Sequence, residues 1–226
     1  MADIAVIIVN YGTADLALAA ARSVLAQEAG GHRIEVHLVD NASPGGDAAA
    51  IADQIAAEGL TGRLRFHPEA TNHGFGRGNN VVLEALAARA TPPDYAFLLN
   101  PDAALENGAA AVLAEFLDAH PEAGAAGAEI RNPGEVRPAA GAYRFPSLGS
   151  IFSEAVNFGP VQRLFQKTKV AMPLPDRAAR VDWVSGAAVM FRMAALRQTG
   201  FFDPAYFLYF EEVDLMLRLT RAGWQV

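Results

Sequence analysis

Short apolar runs alternate with amphipathic stretches along the first hundred residues. Residues 4–9 carry no polar side chain, whereas residues 14–27 place apolar side chains at helical spacing. The same alternation predicts further strands and helices, namely strands at 34–39, 64–67 and 95–99 and helices at 48–57, 79–89 and 106–119. Strands that are apolar on both faces and separated by helices are typical of a parallel sheet with helices on both sides. The pattern therefore predicts an α/β fold with a mainly parallel central sheet.

The second half of the chain is less regular. Its patterns predict strands at 124–130, 143–145, 181–184 and 187–192, and helices at 151–165 and 211–221. Residues 134–169 are rich in turn residues, and we expect a variable loop there.

Composition narrows the class of protein. The chain has 226 residues, of which 52% are hydrophobic and 19% charged, a balance typical of a globular domain. Its net charge of −7, without a Lys/Arg run, argues against a nucleic-acid partner. The absence of cysteine excludes disulfides and thiolate metal sites. No room for a signal peptide precedes the first strand, and no apolar stretch approaches ~18 residues. We expect a cytoplasmic protein, with peripheral contact at the inner face of the membrane left open.

Polar side chains follow three of the predicted strands: Asn10 and Tyr11, Asp40 and Asn41, and Asn100 with Asp102. In parallel sheets, ligands bind beyond the carboxyl ends of the strands. Asp102 has the chemistry to bind Mg²⁺ or Mn²⁺ together with a pyrophosphate. The alternative interpretation is that Asp102 lies in a turn with Pro101 and caps the following helix. Asp40 has the chemistry to accept a hydrogen bond from a base or ribose, and its alternative is an Asx turn.

A glycine-rich stretch spans residues 72–80. Gly74, Gly76 and Gly78 open a predicted helix, where they would allow an anionic ligand to approach the backbone closely. Arg77 could bind phosphate with two hydrogen bonds or could simply be exposed. The spacing of the glycines does not match the dinucleotide-binding fingerprint.

Three acidic residues open the last predicted helix, directly after the aromatic segment 206–210. Glu211 and Glu212 differ by roughly 100° around the helix axis, so they cannot share one role. Asp214 and Arg218 are spaced to form an ion pair on one face. A carboxylate beside an aromatic pocket could act as a general base, and the alternative is an acid-rich helix start without a catalytic role.

Trp183 stands close to a glycine turn at Gly186. An indole face can stack on a sugar ring, and the alternative is ordinary packing of the ring in the core or at its edge.

Together these motifs resemble family 2 glycosyltransferases, in particular the bacterial rhamnosyltransferase-like branch. The resemblance covers nearly the whole chain and keeps the family's motif order: Val9-Asn10-Tyr11-Gly12, Val39-Asp40-Asn41-Ala42-Ser43, Asn72-His73-Gly74-Phe75, Asn100-Pro101-Asp102, Trp183-Val184-Ser185-Gly186 and Phe210-Glu211-Glu212-Val213-Asp214. It implies a GT-A fold in one catalytic domain, residues 1–226. Residues 1–103 would form its nucleotide-binding half and residues 104–226 its acceptor-side half, with a smaller sheet.

The resemblance also implies a role for each matching position. The residues implied to bind the nucleotide are Asn10, Tyr11, Asp40, Asn72, Gly74, Asn79 and Asn100. Asp102 would hold the divalent metal, and Glu212 would be the catalytic base, where many relatives have Asp. The residues implied to border the acceptor are Trp183, Gly186 and Glu211. Asn100 replaces the first Asp of the family's Asp-x-Asp signature.

The implied reaction is a metal-dependent, inverting transfer of a sugar from a nucleotide-diphosphate donor to a glycan or lipid-linked acceptor. The resemblance favours a dTDP-sugar as the donor over a UDP- or GDP-sugar. Relatives continue into a segment with a metal-binding His, which predicts that the acceptor-side half is truncated at Val226. One alternative is a non-catalytic nucleotide-sugar-binding module. The other is a nucleotidyltransferase, which is disfavoured because residues 10–15 lack a basic glycine-rich loop.

Overall fold

The computed structural model describes residues 1–135, 138–139, 141–156, 158, 168–175 and 177–226. Its elements, in chain order, are β1 (Asp3–Asn10), α1 (Ala14–Leu25), β2 (Arg33–Asp40), a 3₁₀ turn (Pro44–Gly46), α2 (Asp47–Ala57), β3 (Leu64–Pro68), α3 (Gly74–Ala87), β4 (Tyr95–Leu99), α4 (Ala109–Ala119), β5 (Ala125–Gly127), β6 (Ala142–Tyr143), α5 (Leu148–Val156), β7 (Trp183–Val184), β8 (Ala188–Arg192), α6 (Met193–Thr199) and α7 (Glu211–Arg221).

A six-stranded sheet in the order β3-β2-β1-β4-β8-β5 forms the centre of the molecule. The four strands from the first half of the chain are parallel to one another. From the second half, β8 pairs antiparallel with β4, and β5 pairs antiparallel with β8. The predicted division of the chain at residue 103 therefore falls between strands of one continuous sheet.

Alternate residues of β1 supply the two layers of the core. Ile4, Val6 and Ile8 pack with α1, α2 and α4 on one face of the sheet. Ala5 and Ile7 pack with α3, α6 and α7 on the other. This period of two is the normal consequence of the pleat. It explains why the strand is apolar on both faces, and it confirms the predicted α/β class.

Among the described residues, β6 and β7 form a second sheet, paired antiparallel at Tyr143 and Trp183. Its position in the second half agrees with the predicted smaller sheet. The predicted strand at 143–145 is shifted, because the paired residues are Ala142–Tyr143. The helix predicted at 151–165 instead covers Leu148–Val156, and residues 157 and 159–165 lie outside the described part of the chain.

The start of α3 differs most from the prediction, since the helix begins at Gly74 and not at Asn79. A Cβ added at Gly76 would lie 2.9 Å from Cβ of Phe202, and one at Gly78 would lie 2.9 Å from a methyl carbon of Val9. The glycines thus allow the helix to pack closely on protein atoms, and this packing outweighs their low helix propensity. Protein atoms therefore occupy the space beside Gly76 and Gly78, and the expected approach of an anionic ligand to this helix start stays a prediction.

Other boundaries moved for local reasons. The helix α4 begins at Ala109 rather than at residue 106, because Asn107 and Gly108 adopt left-handed backbone conformations with φ of 54° and 65°. The strand predicted at 124–130 is shorter, since only Ala125–Gly127 pair with β8. The helix α6 was not predicted at all. Within the described residues, no helix combines the length and apolarity needed to span a bilayer.

Candidate functional site

Asn10 joins the carboxyl ends of β1 and β2. Its side-chain amide donates to Oδ1 of Asp40 at 2.8 Å and to Oγ of Ser43 at 3.1 Å, and its side-chain carbonyl accepts from Thr13 N–H at 3.0 Å. Asn10 is fully buried, and the same amide reaches Oδ2 of Asp47 at 3.2 Å. A buried amide with partners on both sides fixes the loops around it. In this conformation Asn10 therefore holds the loops after β1 and β2 in place and is not itself at the surface of the site.

Asp40 is almost equally buried, at 1% exposure. Its Oδ1 accepts from Asn10, and its Oδ2 accepts from the backbone N–H of Ser43 at 3.2 Å. The second bond closes the Asx-type turn that was the alternative interpretation of this residue. Tyr11, by contrast, is 52% exposed and is the predicted base-binding residue of this group that lies at the surface.

Asn41, which follows Asp40, ties the end of β2 to the start of α3. Its side-chain amide donates to Oδ1 of Asn72 at 3.0 Å and to the carbonyl of Gly74 at 2.9 Å. Its Oδ1 accepts from the N–H of His73 at 2.9 Å. Asn72 in turn accepts from Gly74 N–H at 2.8 Å, so two residues predicted to bind nucleotide form a rigid corner.

Asn79 lies one turn into α3, where it is 1% exposed. Its amide donates to the carbonyl of Phe75 at 3.0 Å. The side chain is therefore directed within the helix in this conformation. Arg77 is exposed and lies 3.4 Å from His73 Nδ1, whose other ring nitrogen contacts Glu69 at 3.1 Å.

Asn100 and Asp102 occupy the turn after β4. The N–H of Asn100 donates to the carbonyl of Ala187 at 2.8 Å, and its own carbonyl accepts from Ala103 N–H at 3.1 Å. The first bond connects the end of β4 to Ala187, the residue after Gly186, and the second closes the turn. Asp102 is exposed, and within the described residues it makes no hydrogen bond or ion pair.

Glu212 and Phe75 both lie beside Gly186. A Cβ built on Gly186 would be 3.4 Å from the Phe75 ring and 3.9 Å from Cβ of Glu212. Because Gly186 adjoins Ala187, these contacts continue to Asn100 at the end of β4. The turn after β4 and the start of α7 are thus linked through Gly186 and Ala187 at one end of the sheet.

The two adjacent glutamates have different surroundings, as their angular separation predicts. Glu211 is 2% exposed, and its Oε2 is buried without a partner among the described residues. Glu212 is only partly buried. Burial raises the pKa of both carboxyl groups, and the charge of Glu211 raises the pKa of Glu212 further. Glu212 is therefore the accessible carboxylate, while Glu211, predicted to border the acceptor, is held in the interior.

Trp183 stacks on Tyr143, with ring centroids 4.1 Å apart and planes inclined by 15°. Its indole N–H donates to the carbonyl of Arg144 at 2.9 Å. One face of the indole is thus covered by Tyr143 and is not available to a sugar ring. Tyr143 also lies within electrostatic reach of Glu212, whose charge adds to burial in raising the pKa of the phenol.

A divalent cation would find a limited set of protein ligands. Among the described residues, no group of three or more His, Asp and Glu side chains is placed to hold a metal ion. Mg²⁺ is commonly bound by one or two carboxylates together with substrate phosphate oxygens and water. The exposed carboxylate of Asp102 fits an ion that is shared with a diphosphate, but not one held by the protein alone.

Comparison with known proteins identifies the family. The profile described as "Glycosyltransferase like family 2" matches residues 2–226. The chain belongs to this family. The GT-A fold is accordingly the architecture described above.

Two curated relatives are rhamnosyltransferases. The chain is 32% identical over 200 residues to an N-acetylglucosaminyl-diphospho-decaprenol L-rhamnosyltransferase of Mycobacterium tuberculosis, covering 84% of this chain and 62% of the relative. It is 27% identical over 153 residues to the rhamnosyltransferase WbbL of Escherichia coli, covering 67% of this chain and 56% of the relative. The chain thus spans about three fifths of the length of these relatives.

Solved structures agree on the fold. A mannosyltransferase from Pyrobaculum calidifontis, in complex with GDP-Man and Mn²⁺, matches with a TM-score of 0.62 and 17% identity, over 98% of this chain and 53% of that chain. Staphylococcus aureus TarS 1-349 matches with a TM-score of 0.59 and 15% identity, over 96% of this chain and 55% of that chain.

Two residues that shape the site of this family 2 member were given no role from the sequence. Asn41 was recognised as a polar residue at the end of a strand, but its neighbour Asp40 was the residue predicted to bind the nucleotide. Asn80 holds the backbone of Phe202 from both sides, since its amide donates to the carbonyl at 2.8 Å and its Oδ1 accepts from the N–H at 3.1 Å. An Asn inside a glycine-rich helix start gives no sequence signal for a partner 122 residues away.

The predicted pair of Asp214 and Arg218 is confirmed, with Arg218 Nε donating to Oδ2 of Asp214 at 2.7 Å. The guanidinium also donates to the carbonyls of Thr199 and Phe201 at 2.9 and 2.8 Å. The pair therefore fixes the segment before the aromatic residues 206–210 against α7.

Proposed function

We propose that the chain transfers a sugar from a nucleotide-diphosphate donor to a hydroxyl of a glycan or lipid-linked acceptor, with inversion at the anomeric carbon. The observation that supports this most is the position of Glu212. The Cβ of this partly buried residue lies beside Gly186, which connects through Ala187 to the turn of Asn100 and Asp102. Family membership and the two rhamnosyltransferase relatives support the same reaction.

In this proposal Glu212 accepts the proton of the acceptor hydroxyl. The hydroxyl oxygen forms a bond to the anomeric carbon while the bond from that carbon to the diphosphate oxygen breaks, and the nucleoside diphosphate leaves with the electron pair. A single displacement inverts the configuration, as in inverting glycosidases with one carboxylate base. A carboxyl group whose pKa is raised toward the working pH is a better base than an exposed glutamate.

Nucleotide recognition is proposed to take place at the polar residues that follow β1 and β2. Tyr11 is proposed to stack on the base, since its exposed ring can offer a flat apolar face. Asp40 and Asn10 are proposed to position this segment, because they are buried and bonded to each other. Asn72, Gly74 and Asn79 are proposed to shape the wall beside the nucleotide; these three residues are partly or fully buried at the start of α3.

Asp102 and the donor diphosphate together are proposed to hold a divalent cation, Mn²⁺ or Mg²⁺, with Asn100 shaping the turn. When bound, the cation would offset negative charge on the diphosphate. Trp183 and Gly186 are proposed to border the acceptor near Glu212. A dTDP-sugar is the favoured donor, because the curated relatives are rhamnosyltransferases.

Nucleotide binding can be tested by thermal unfolding with dTDP, UDP and GDP, each with and without Mn²⁺. A ligand that binds only the folded chain raises the melting temperature by mass action. We expect one of these nucleotides to raise it, and Mn²⁺ to increase the effect. Asp102→Asn should lose the Mn²⁺-dependent part, whereas Asp53→Asn, at an exposed aspartate on α2, should keep it. No stabilisation by any nucleotide would contradict the proposal.

The other candidate is a module that binds nucleotide sugars without transferring the sugar. The small set of metal ligands among the described residues favours it. Release of nucleoside diphosphate from a nucleotide sugar discriminates between the two, because a binding module stabilised by the same nucleotides would release none.

A further inference from the structure

Four consecutive large apolar side chains are exposed just before α7. Phe207, Leu208, Tyr209 and Phe210 are 56%, 53%, 73% and 62% exposed, and together they are called the aromatic loop (residues 207–210). Large apolar side chains exposed singly are common on protein surfaces, whereas a contiguous group indicates an interaction site. The loop lies directly before Glu211 and Glu212 in the chain.

The backbone of the aromatic loop is held at both ends. The carbonyl of Phe207 accepts from the N–H of Phe75 at 3.1 Å, and the carbonyl of Phe210 accepts from the N–H of Asp214 at 2.9 Å. Between them, Tyr209 and Phe210 have φ of 70° and 69°, a conformation that bulky side chains rarely adopt. Such strain persists where the surroundings determine the conformation, and it is concentrated at functional sites. The fixed backbone therefore presents these side chains to solvent.

The loop also lies next to the proposed base. The backbone N–H of Phe75 donates to the aromatic loop at Phe207. The ring of Phe75 lies beside Gly186, and Gly186 in turn lies beside Glu212. If the proposed function is correct, the molecule that carries the acceptor hydroxyl must arrive beside this loop. A lipid-linked acceptor would bring a membrane surface with it.

Chemistry favours a bilayer as the occupant. No charged residue lies between Asp203 and Glu211, and the net charge of the chain is −7, so electrostatic attraction to anionic lipids does not drive binding here. Phenylalanine and tyrosine side chains suit the interface between hydrocarbon and water. We propose that the aromatic loop docks on the surface of a lipid bilayer and turns Glu212 toward lipid-linked acceptors. The purpose of the docking rests on the proposed function, but the docking itself does not.

The helix α5 is a competing surface, since Leu148 and Ile151 are 88% and 57% exposed. The aromatic loop is preferred because its contacts lead directly to Glu212. A test must therefore separate these two surfaces.

Flotation of the chain with neutral phosphatidylcholine vesicles tests the proposal. We expect the protein to float with the vesicles at low and at high salt, because apolar contacts are not screened. Leu208→Gln combined with Tyr209→Asn should lower the bound-to-free ratio by about tenfold or more. Asn tolerates the left-handed backbone at position 209. Leu208→Gln alone leaves that backbone untouched and should lower the ratio by about threefold or more.

Leu16→Gln provides a matched control. Leu16 is 49% exposed on α1, which packs on the opposite face of the sheet from α7, so this variant should bind like the wild type. Circular dichroism checks that each variant is folded. The proposal is overturned if the wild type does not float, if both loop variants float as well as the wild type, or if Leu148→Gln abolishes binding while the loop variants do not. Vesicle binding needs neither donor nor turnover, so its failure is distinct from a failure to bind nucleotide.

Discussion

At the scale of single residues, one step along a helix separates two glutamates into different environments. Glu211 turns into the interior and Glu212 remains at the edge of the site, although both belong to the same sequence motif. The sequence predicted that they differ, because adjacent helical positions diverge by roughly 100°. It could not predict which one is buried, since this depends on the packing of α7 against β7 and α3.

The raised pKa of Glu212 predicts a pH-dependent stability. The folded chain favours the protonated carboxyl group relative to the ordinary value of 4.5, mainly because of burial. The stability that this group contributes is present below pH 4.5 and is lost as the pH rises through the folded-state pKa. Glu212→Gln should therefore raise the free energy of unfolding relative to the wild type at pH values above that pKa, and have little effect at acidic pH.

Chemical denaturation across this pH range measures the difference. Glu84→Gln is the control, because Glu84 is an exposed glutamate on α3. The control should show no comparable pH-dependent gain. A difference between Glu212→Gln and the wild type that stays constant with pH would contradict the assigned environment.

Much of the candidate site could be predicted at this scale, because Asn10, Asp40 and Asn100 end strands whose pattern was clear. Burial could not. Asp40 and Asn10 satisfy each other in the interior, so their part in nucleotide binding is proposed to be positional. A single sequence gives no indication that two polar residues 30 positions apart are partners.

At the scale of elements, the start of α3 joins the two halves of the site. Gly74 has φ of 75°, and a Cβ there would lie 1.9 Å from the carbonyl oxygen of Phe207. The conformation and the close approach both require glycine. The glycine-rich sequence marked this segment as special, but it gave no indication that Gly74 contacts the aromatic loop, more than a hundred residues away.

Substitution at Gly74 tests this contact. Gly74→Ala should destabilise the fold by about 1–2 kcal/mol through its left-handed backbone, and by about 1–3 kcal/mol more because the carbonyl of Phe207 must move. Gly12 has nearly the same φ, 73°, and no atom within 4 Å of an added Cβ, so Gly12→Ala should show only the first effect. Denaturant unfolding measures both. Equal losses of stability would mean that α3 and the aromatic loop are not in close contact.

At the scale of the whole molecule, antiparallel strands from the second half complete a parallel sheet from the first. The strands β1 and β4 were predictable because each contains a continuous apolar run. The position of β8 beside β4 could not be predicted, because this pairing joins residues about 90 positions apart and leaves no local pattern in the sequence. This pairing carries the site, because it brings Gly186 and Ala187 to the end of β4, next to Asn100 and near Glu212.

Glu212 is proposed to remove a proton from the acceptor hydroxyl at this junction. The most direct test of this role is the rate of nucleoside diphosphate release from the nucleotide sugar whose nucleotide stabilises the chain, with a lipid-linked acceptor present. Glu212→Gln should lower the rate by about 100-fold or more while nucleotide affinity stays unchanged. A Glu212→Gln variant that releases nucleoside diphosphate as fast as the wild type would contradict the account.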